Sequence, residues 1–474
     1  MNYRKVLDQN PVFNEIGRIA DQLGMETYVV GGFVRDHFLQ KENIHYDIDI
    51  VTVGSGIQLA RKVAQHFGKE KNLNVYKNFG TAMFRLKNIE FEFVGARKES
   101  YNRHSRKPVV EDGSLQDDQN RRDFTINTIA LVLNKVNYGD LVDPFDGMSD
   151  LGHKQIKTPR DPEITFSDDP LRMMRGIRFA AQLDFDITPE TFDAIIKNAE
   201  RIKIVSQERI TAELEKIIMS GNPSYGFKLL FHAGLLKIIF PEMVDLHGVD
   251  KINGRGHKDN FYHTLEVLDN VARRSDDLWL RWAAIMHDIA KPVTKRYDEQ
   301  AGWTFHGHEE IGARMVPQLF RRLRLPLNEK MRFVQKMVRL HLRPIALVSS
   351  QITDSAIRRL VFEAGDDIDK LMILCRADIT SKNPEKVSRF LSNFGKVEKK
   401  IAEVEEKDKI RNFQPPIRGE EIMKIFNLPP GREVGIIKNE IKEAILDGKI
   451  ENNRAAAEKY MLKIVKELGL KSEN

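Results

Sequence analysis

Two aspartates two residues apart in an apolar segment are the first residues whose spacing could do chemistry. The alternation in Tyr46-Asp47-Ile48-Asp49-Ile50-Val51 predicts a strand that would point Asp47 and Asp49 to one face. Two carboxylates about 4 Å apart repel by about 4 kcal/mol at a surface-like effective dielectric. A divalent cation would offset this repulsion, and Mg2+ prefers carboxylate and phosphate oxygens. The pair therefore predicts a metal site that handles phosphates.

A glycine pair and a third acidic segment flank this strand. Gly31 and Gly32 follow a predicted strand, where backbone amides could approach phosphate oxygens at a helix start, although such pairs also mark ordinary turns. Glu90 and Glu92 alternate with apolar residues, and we interpret Glu90 as solvated on an edge strand. Three acids on neighbouring strands would hold two metal ions, one activating the attacking hydroxyl and the other steadying the leaving pyrophosphate.

A second set of metal-type ligands occupies the middle of the chain. It comprises His263, His287, Asp288, His308, His341 and Asp378. An adjacent His-Asp pair inside an apolar helix is costly unless both groups have partners. A single buried histidine is usually a satisfied core residue, but the ordered set favours a metal site. His308 and His341 could serve a second metal.

The elements that must position these residues follow the hydrophobic periodicity. Apolar spacing predicts a helix over 1–25 and strands at 28–30, 48–53, 82–86, 91–94 and 129–132. The polar segment 103–120 predicts a mobile loop, and strand signals stop after residue 158. We therefore expect an α+β fold, a mixed-sheet head followed by a helical body. The predicted domains are a head at 1–157, a helical neck at 158–245, a metal-ligand domain at 246–395 and a helical tail at 396–474.

Five blocks in order resemble the bacterial class II tRNA nucleotidyltransferase and poly(A) polymerase family, whose head is polymerase-beta-like. The blocks are Gly-Gly-x-Val-Arg-Asp at 31–36 with Asp47 and Asp49, Arg-Arg-Asp-Phe-Thr-Ile-Asn at 121–127, Asp-Pro-Phe-Asp-Gly at 143–147 with 150–151, Asp-Asp-Pro-Leu-Arg at 168–172, and Glu208-Arg209 with Glu213. The resemblance covers 26–215. The ordered histidines and aspartates resemble the HD phosphohydrolase domain.

The resemblance implies roles for individual residues. Arg172, Arg175 and Arg178 recur every three residues, a spacing that also suits a solvated basic face; beside a triphosphate site we interpret Arg175 and Arg178 as lining the nucleotide or the RNA end. The resemblance implies metal binding by Asp47, Asp49 and Glu92, nucleotide binding by Gly31, Gly32, Arg35, Arg122 and Asp123, and base selection by Asp169 and Arg172. In this interpretation Asp169 accepts from the exocyclic amine shared by cytosine and adenine, and Arg172 donates to the ring edge. A helix start capped by Ser167 or Asp168 would place Asp169 and Arg172 on one helix face. Asp168 stands where the family commonly has Glu, which leaves the balance between C and A open.

The expected reaction is addition of C, C and A to tRNA 3′ ends from CTP and ATP, with Mg2+ and release of pyrophosphate. Poly(A) addition and A-only or CC-only addition stay open as alternatives. The HD resemblance implies a second divalent metal and allows a phosphohydrolase activity. A different class of interpretation makes that hydrolase the main activity and the head an RNA-binding module. We expect Arg209 and Glu213, four apart on a helix, to form a structural pair.

Composition restricts the class of protein. The 474 residues suggest about three or four structural units. The 75 basic and 69 acidic residues leave a charge of +6, which permits a polyanionic partner without requiring one. One cysteine, Cys375 in an apolar run, excludes an internal disulfide and predicts a buried thiol. Residues 1–13 lack an apolar signal region and no stretch is long enough to span a membrane, so we expect a cytoplasmic protein without a membrane partner. Oligomeric state stays open.

Overall fold

The structure is a computed structural model that describes residues 2–40, 47–77, 80–100, 109–252, 255–349, 353–380, 383–408, 411 and 414–470. Its contacts divide the chain into two compact units, residues 1–241 and 242–474. The division falls four residues before the predicted boundary between residues 245 and 246. The four-domain subdivision stays a prediction.

The first unit contains a mixed sheet, whose described strands run in the order β3-β4-β5-β2-β1-β8-β9. The strands of this unit are β1 Thr27–Val30, β2 Asp47–Thr52, β3 Asn74–Tyr76, β4 Thr81–Leu86, β5 Ile89–Gly95, β6 Arg97–Ser100, β7 Val109–Asp112, β8 Ala130–Val132, β9 Leu141–Val142, β10 Gln155–Ile156 and β11 Asp186–Ile187. β2 and β5 pair in parallel, whereas the other pairs of the large sheet are antiparallel.

Helices flank this sheet and form the rest of the first unit. They are α1 Arg4–Leu7, α2 Val12–Gln22, α3 Gly32–Phe38, α4 Gly56–His66, α5 Leu115–Asn120, α6 Gly147–Gly152, α7 Pro162–Asp168, α8 Leu171–Leu183, α9 Pro189–Asn198, α10 Gln207–Ile218, α11 Pro223–His232, α12 Leu235–Ile239 and α13 Pro241–Val244, the last at the division between the units.

The described residues of the second unit form helices apart from two small hairpins. The hairpins are β12 Lys251–Ile252 with β13 Arg255–Gly256, and β14 Arg296–Asp298 with β15 Gly302–Thr304. The helices are α14 Asn260–Ala272, α15 Leu278–Met286, α16 Lys291–Thr294, α17 His308–Arg322, α18 Glu329–Leu340, α19 Leu342–Ser349, α20 Asp354–Ala364, α21 Ile368–Ala377, α22 Pro384–Asp408, α23 Gly419–Ile425, α24 Arg432–Leu446 and α25 Arg454–Glu467. The last three helices share an apolar cluster that includes Ile437 and Met461.

The two faces of the sheet have different chemistry because side chains alternate along a strand. Phe91 and Phe93 on β5 stack with Phe84 of β4, with ring centroids 6.1 and 5.7 Å apart, and all three rings are buried. α4 packs against β4 and β5. Glu90 and Glu92 alternate with these phenylalanines along β5 and point to the opposite face. The strands and the α+β class predicted from the sequence are confirmed.

Four local predictions were wrong. The helix over 1–25 is two helices, because Pro11 lacks an N–H and disfavours helix in the preceding residue, so α2 begins anew after it. Residues 103–108 of the predicted loop lie outside the described residues, but β7 and α5 occupy most of 109–120. Ser114 and Asp117 form a capping box that starts α5, and Leu115 is buried. Short strands also recur after residue 158. β5 is an interior strand rather than an edge.

None of the described helices combines the length and the apolar content needed to cross a bilayer.

Candidate functional sites in the head and the second unit

The parallel pairing of β2 and β5 brings the predicted acids together in register. Asp49 pairs with Glu92, and Asp47 pairs with Glu90 at the exposed end of β2. In-register neighbours point to the same face of a sheet, so these carboxylates share the face opposite the phenylalanines. The ligand atoms of Asp47, Asp49 and Glu92 are not all within 4.8 Å of one another.

The electrostatics of these acids favour a bound cation. Burial raises the pKa of the Asp49 carboxyl; Arg122 lowers this pKa, while Asp47 raises it. Burial likewise raises the pKa of Glu92, and Asp49 and Glu90 raise it further. Raised pKa values mean that negative charge is poorly compensated here. A divalent cation held by these oxygens would supply the missing compensation, so the residues fit the implied metal.

Gly31 lies directly beside this face. Its φ of 76° and ψ of −138° lie in a region that side chains disfavour. A Cβ at this position would lie 2.8 Å from Asp49 Oδ2 and 3.5 Å from an Arg122 nitrogen. The close approach of backbone and carboxylate therefore requires glycine. Gly32 begins α3, which is seven residues long.

Arg35 is buried behind the glycine pair. Its Nε donates to Asp36 Oδ1 at 2.8 Å, and its Nη1 donates to Asn127 Oδ1 at 2.8 Å. Asn127 Nδ2 in turn donates to Asp123 Oδ1 at 3.0 Å. These contacts connect α3 with the Arg-Arg-Asp block. They place Arg35 in a supporting network rather than in the cleft.

Asp123 is held by a neighbouring arginine. Arg175 Nε and Nη2 lie 2.7 and 2.6 Å from Asp123 Oδ2. Although burial opposes ionisation, Arg175 keeps the pKa of Asp123 well below its usual range. Asp123 Oδ1 also accepts from the Phe124 backbone N–H at 2.9 Å. The carboxylate is therefore ionised, and both its oxygens already accept hydrogen bonds from the protein.

The base-selection pair is arranged differently from the predicted helix start. α7 ends at Asp168 and α8 begins at Leu171, so Asp169 lies between two helices and not on a helix face with Arg172. Asp169 Oδ1 accepts from the Leu171 N–H at 3.2 Å, a role expected for Ser167 or Asp168. Pro170 prevents α7 from continuing into α8. Asp168 pairs with Arg160 at 3.2 Å.

The predicted pair between Arg209 and Glu213 is wrong. Glu213 Oε2 lies 2.6 Å from Arg178 Nε, and Glu213 Oε1 lies 3.0 Å from Lys216. Arg209 lies 3.8 Å from Asp169 instead. Arg178 also stacks on Phe179, 3.8 Å from the ring centroid. Because Arg178 is buried, its contacts with the Phe179 ring and with Glu213 stabilise it more than a contact with a bound nucleotide would.

Most of the predicted head residues line one cleft of about 740 Å3 within the first unit. Its lining includes Asp49, Glu92, Arg122, Asp123, Asp169, Arg172 and Arg175. Gly31, Gly32, Arg35, Asp47 and Arg178 lie outside that lining. The cleft thus combines acids able to hold a cation, arginines able to bind phosphate, and the Asp169–Arg172 pair.

Four histidines and two aspartates of the second unit converge on a second, buried site. They come from α14, the ends of α15, α18 and α21, and the start of α17. The His-Asp pair thus follows α15 rather than lying inside a helix. The ligand atoms form two groups, each within 4.8 Å: His263, His287 and Asp378, and Asp288, His308 and His341.

Asp288 lies between the two groups. Its Oδ2 is 3.2 Å from His287 Nε2 and 3.5 Å from His263 Nε2. Its Oδ1 is 3.2 Å from His308 Nε2 and 3.8 Å from His341 Nε2. Each oxygen of this carboxylate therefore faces a different group. The geometry is suited to two neighbouring cations that share one carboxylate.

Three of the histidines are oriented by backbone carbonyls close to them in the chain. Nδ1 of His287, His308 and His341 lies 2.7, 2.8 and 2.6 Å from the backbone oxygen three residues earlier. A nitrogen that faces a carbonyl carries the proton, so Nε2 keeps its lone pair. These Nε2 atoms are buried without a hydrogen-bond partner. Lone pairs that face carboxylate oxygens are favourable only with a proton or metal cation between them.

The charges lead to the same conclusion. Burial opposes charge on His287, yet Asp288 beside it raises the pKa of His287 to about 10. Burial lowers the pKa of His341 to about 4. The buried acids thus demand positive charge, which a metal would provide in place of the proton on His287. A donor set rich in imidazole fits a divalent transition metal.

Sequence reasoning missed several residues that support these sites. Asp118 pairs with Arg121 and Arg122, and its spacing of three and four residues on a helix is a recognisable signal. Lys291 lies 2.6 Å from Asp288 Oδ2 at the same kind of spacing. Cys375 is buried as predicted, and its thiol donates to the His341 carbonyl at 3.0 Å.

Comparisons with known families match three segments of the chain. The Poly A polymerase head domain matches residues 27–157, the probable RNA and SrmB-binding site of polymerase A matches 184–246, and the HD domain matches 260–383. The chain is 32% identical to an A-adding tRNA nucleotidyltransferase of Deinococcus radiodurans over 71% of this chain and 76% of that protein. It is 32% identical to a multifunctional CCA protein of Nitrosococcus oceani over 76% and 86% of the two chains.

A solved structure shares the fold. The CCA-adding enzyme of Bacillus stearothermophilus, solved in complex with CTP, superposes with a TM-score of 0.67 at 22% identity, covering 97% of this chain and 99% of that one. Segments that match the head, the RNA-binding site and the HD domain occur here in one chain, and the Nitrosococcus oceani relative matches over most of both chains. This chain therefore belongs to the bacterial tRNA nucleotidyltransferase and poly(A) polymerase family and carries that family's nucleotidyltransferase head together with an HD domain.

Proposed function

We propose that this protein adds C, C and A to the 3′ end of tRNA from CTP and ATP and releases pyrophosphate. The observation that carries this proposal is the single cleft in which Asp49 and Glu92 lie with Arg122, Asp169 and Arg172. Asp49 of β2 and Glu92 of β5, the Arg-Arg-Asp block, and Asp169 in the turn between α7 and α8 all line this cleft. Relatives are named A-adding tRNA nucleotidyltransferase and multifunctional CCA protein, which supports a tRNA substrate and a cytoplasmic location.

We propose that Asp47, Asp49 and Glu92 hold Mg2+. A bound Mg2+ would polarise the α-phosphate and the attacking hydroxyl of the RNA end. Arg122 and Arg175 would bind triphosphate oxygens, while Gly31 lets the backbone approach Asp49. We assign Gly32, Arg35, Asp123 and Arg178 to the shell that orients these groups rather than to direct contact.

We propose that the base is selected by Asp169 and Arg172. Asp169 would accept from the exocyclic amine that cytosine and adenine share. Arg172 would donate to the ring edge, and its Nη1 is buried without a hydrogen-bond partner in the described chain. Uracil and guanine lack the amine at that place and would leave Asp169 without a donor. Asp168 pairs with Arg160 outside the cleft lining, so we expect Asp168→Glu to leave the C-to-A ratio unchanged.

Defined tRNA ends would test the proposal. Purified protein receives tRNA lacking its last three nucleotides, or tRNA ending in CC, with CTP and ATP separately and together. We expect two C residues, then one A, and a stop. Addition of A only to the CC end would identify an A-adding enzyme, C addition without A a CC-adding enzyme, and repeated A addition a poly(A) polymerase. Each of these three outcomes would overturn the proposal that the protein adds C, C and A.

Variants would test the acids. Asp47→Ala and Asp49→Ala should abolish incorporation while tRNA binding, measured by gel shift, stays nearly intact. Glu92→Gln should also abolish incorporation, whereas Glu90→Gln, on the same face of the same strand, should retain it. Normal incorporation by the Asp47 or Asp49 variant would overturn the assignment.

A second candidate function rests on the complete ligand set of the second unit. We propose that His263, His287, Asp288 and Asp378, with His308 and His341, bind one or two divalent metals that hydrolyse a phosphoester. A nucleoside 2′,3′-cyclic phosphate is the probe. Metal-dependent hydrolysis that is lost in Asp288→Ala and kept in Asp47→Ala would support this activity. Absence of hydrolysis with Mn2+, Co2+, Ni2+ and Mg2+ would leave these residues a structural metal site.

A further inference from the structure

Asp118, near the end of α5, is a fully buried carboxylate that holds two arginines. Its Oδ1 accepts from Arg121 Nε at 3.0 Å and also from Arg121 Nη2. Its Oδ2 lies 3.1 Å from Arg122 Nε and 3.0 Å from Arg122 Nη2. Although burial opposes its charge, the arginines keep the pKa of Asp118 below its usual range. Both oxygens of one ionised side chain are therefore used to fix two guanidinium groups.

Arg122 connects Asp118 with the acid face, the face of the sheet that carries Asp49 and Glu92. Arg122 lines the cleft, and an Arg122 nitrogen lies 3.5 Å from where a Cβ on Gly31 would be. Its Nη1 also lies 3.3 Å from the Asn127 carbonyl oxygen. Without Asp118, this backbone oxygen would be the remaining hydrogen-bond acceptor that the structure gives to Arg122. The long side chain would then have several rotamers available beside the triphosphate position.

Arg121 connects Asp118 with Arg172, the residue that we propose selects the base. The Arg121 carbonyl oxygen accepts from Arg172 Nη2 at 2.6 Å. This bond fixes the plane of the Arg172 guanidinium and leaves its Nη1 without a partner among the described residues. Because Asp118 anchors the Arg121 side chain, it also anchors the carbonyl that orients Arg172.

We propose that Asp118 is a positioning residue that aligns the triphosphate-binding Arg122 and, through the Arg121 backbone, the base-selecting Arg172. The inference rests on the proposed function, because the two arginines are given their roles there. Asp118 itself does not line the cleft, and it acts through its neighbours. Loss of its charge should therefore change nucleotide affinity and base choice together.

Asp118→Asn is the test, with Asp112→Asn, an exposed aspartate on β7, as the matched control. The measurements are KM and kcat for ATP on tRNA ending in CC, the ratio of kcat/KM for ATP and GTP, tRNA affinity and melting temperature. Loss of a charge-assisted pair should raise KM for ATP about tenfold or more and lower discrimination against GTP about tenfold. tRNA affinity should stay unchanged, which a general loss of structure would not allow.

Arg121→Lys tests the effect on Arg172 separately from the effect on Arg122, and it is the alternative test if Asp118→Asn does not fold. Lysine keeps the charge but not the two-point contact with Asp118 Oδ1. It should lower discrimination against GTP with little change in KM for ATP. Wild-type KM and discrimination in folded Asp118→Asn, or wild-type discrimination in Arg121→Lys, would overturn the proposal. A wild-type protein that adds neither C nor A would instead refute the proposed function.

Discussion

Replacement of Gly31 by alanine should separate a catalytic effect from a stability effect. Gly31 has φ 76° and ψ −138°, a conformation that costs a residue with a side chain about 1–3 kcal/mol. The added Cβ would lie 2.8 Å from Asp49 Oδ2, whereas ordinary contacts begin at 3.4 Å. The Asp49 carboxylate must therefore withdraw by roughly 0.6 Å, or the turn must move by as much.

This displacement acts on the group that we propose binds the metal. A misplacement of about 1 Å at a reacting centre can cost about a hundredfold in rate. We therefore expect Gly31→Ala to lower kcat for A addition by about tenfold to a hundredfold. Each kcal/mol of strain should lower the melting temperature by about 2–4 °C, the shift typical of units with 150–250 residues.

Gly24→Ala is the matched control. Gly24 has φ 65°, and a Cβ there would meet nothing within 4 Å. Both variants should lose melting temperature, but only Gly31→Ala should lose transfer of labelled AMP to tRNA ending in CC. If Gly31→Ala transferred AMP at the rate of Gly24→Ala, the proposed closeness of the Gly31 backbone to a metal-binding Asp49 would be refuted.

Three further predictions follow from charge and burial. Glu213→Gln should destabilise the first unit by about 3–5 kcal/mol in chemical denaturation because it leaves the buried Arg178 without its carboxylate partner. Glu163→Gln, in an exposed pair with Lys197, should cost less than about 1 kcal/mol. Equal losses of stability in the two variants would contradict the burial argument. Asp49→Asn should raise the melting temperature at neutral pH in EDTA. The folded-state pKa of Asp49 is raised, so its ionised carboxylate destabilises the folded protein, and this cost sets in as pH rises from the unfolded-state pKa to the folded-state pKa. Mg2+ should narrow the difference in melting temperature between wild type and variant, and a lower melting temperature for the variant would contradict the prediction. Asp288→Asn should abolish Mn2+ binding to the second unit in titration calorimetry while A addition continues; unchanged binding would remove Asp288 from the ligand set.

The strands of the head could be predicted because their apolar alternation reflects burial on one face. The segment around Asp49 and the segment around Glu92 each showed this pattern, and the carboxylates fell on one face as expected. The parallel pairing could not be predicted from either segment alone, since register depends on the other strand and on α4 between them. The ordered histidines were informative for the same reason as the acids: their residue types are costly to bury without a partner.

The missed features depend on tertiary contacts. Asp169 and Arg172 share a helix face in the periodic pattern, but the turn at Pro170 separates Asp169 from the helix. Arg178 continues the spacing of Arg172 and Arg175, yet Glu213 and a phenylalanine ring cover it. Periodicity shows which residues lie along a stripe. It does not show which neighbouring element will occupy the space above that stripe.

The parallel pairing of β2 and β5 also determines when the acid face can first form as the protein is synthesised. A parallel pair cannot be joined by a tight turn, so α4, β3 and β4 must emerge before Glu92 can lie beside Asp49. Arg122 follows later in translation, and Arg172 later still. Because such long-range pairing forms slowly, a nascent fragment that ends before β5 carries Asp47 and Asp49 on a strand that can pair with β1 but not yet with β5. The ability to capture a metal–nucleotide complex should therefore arise late and in one step, and unfinished chains should not compete with the finished enzyme for nucleotide.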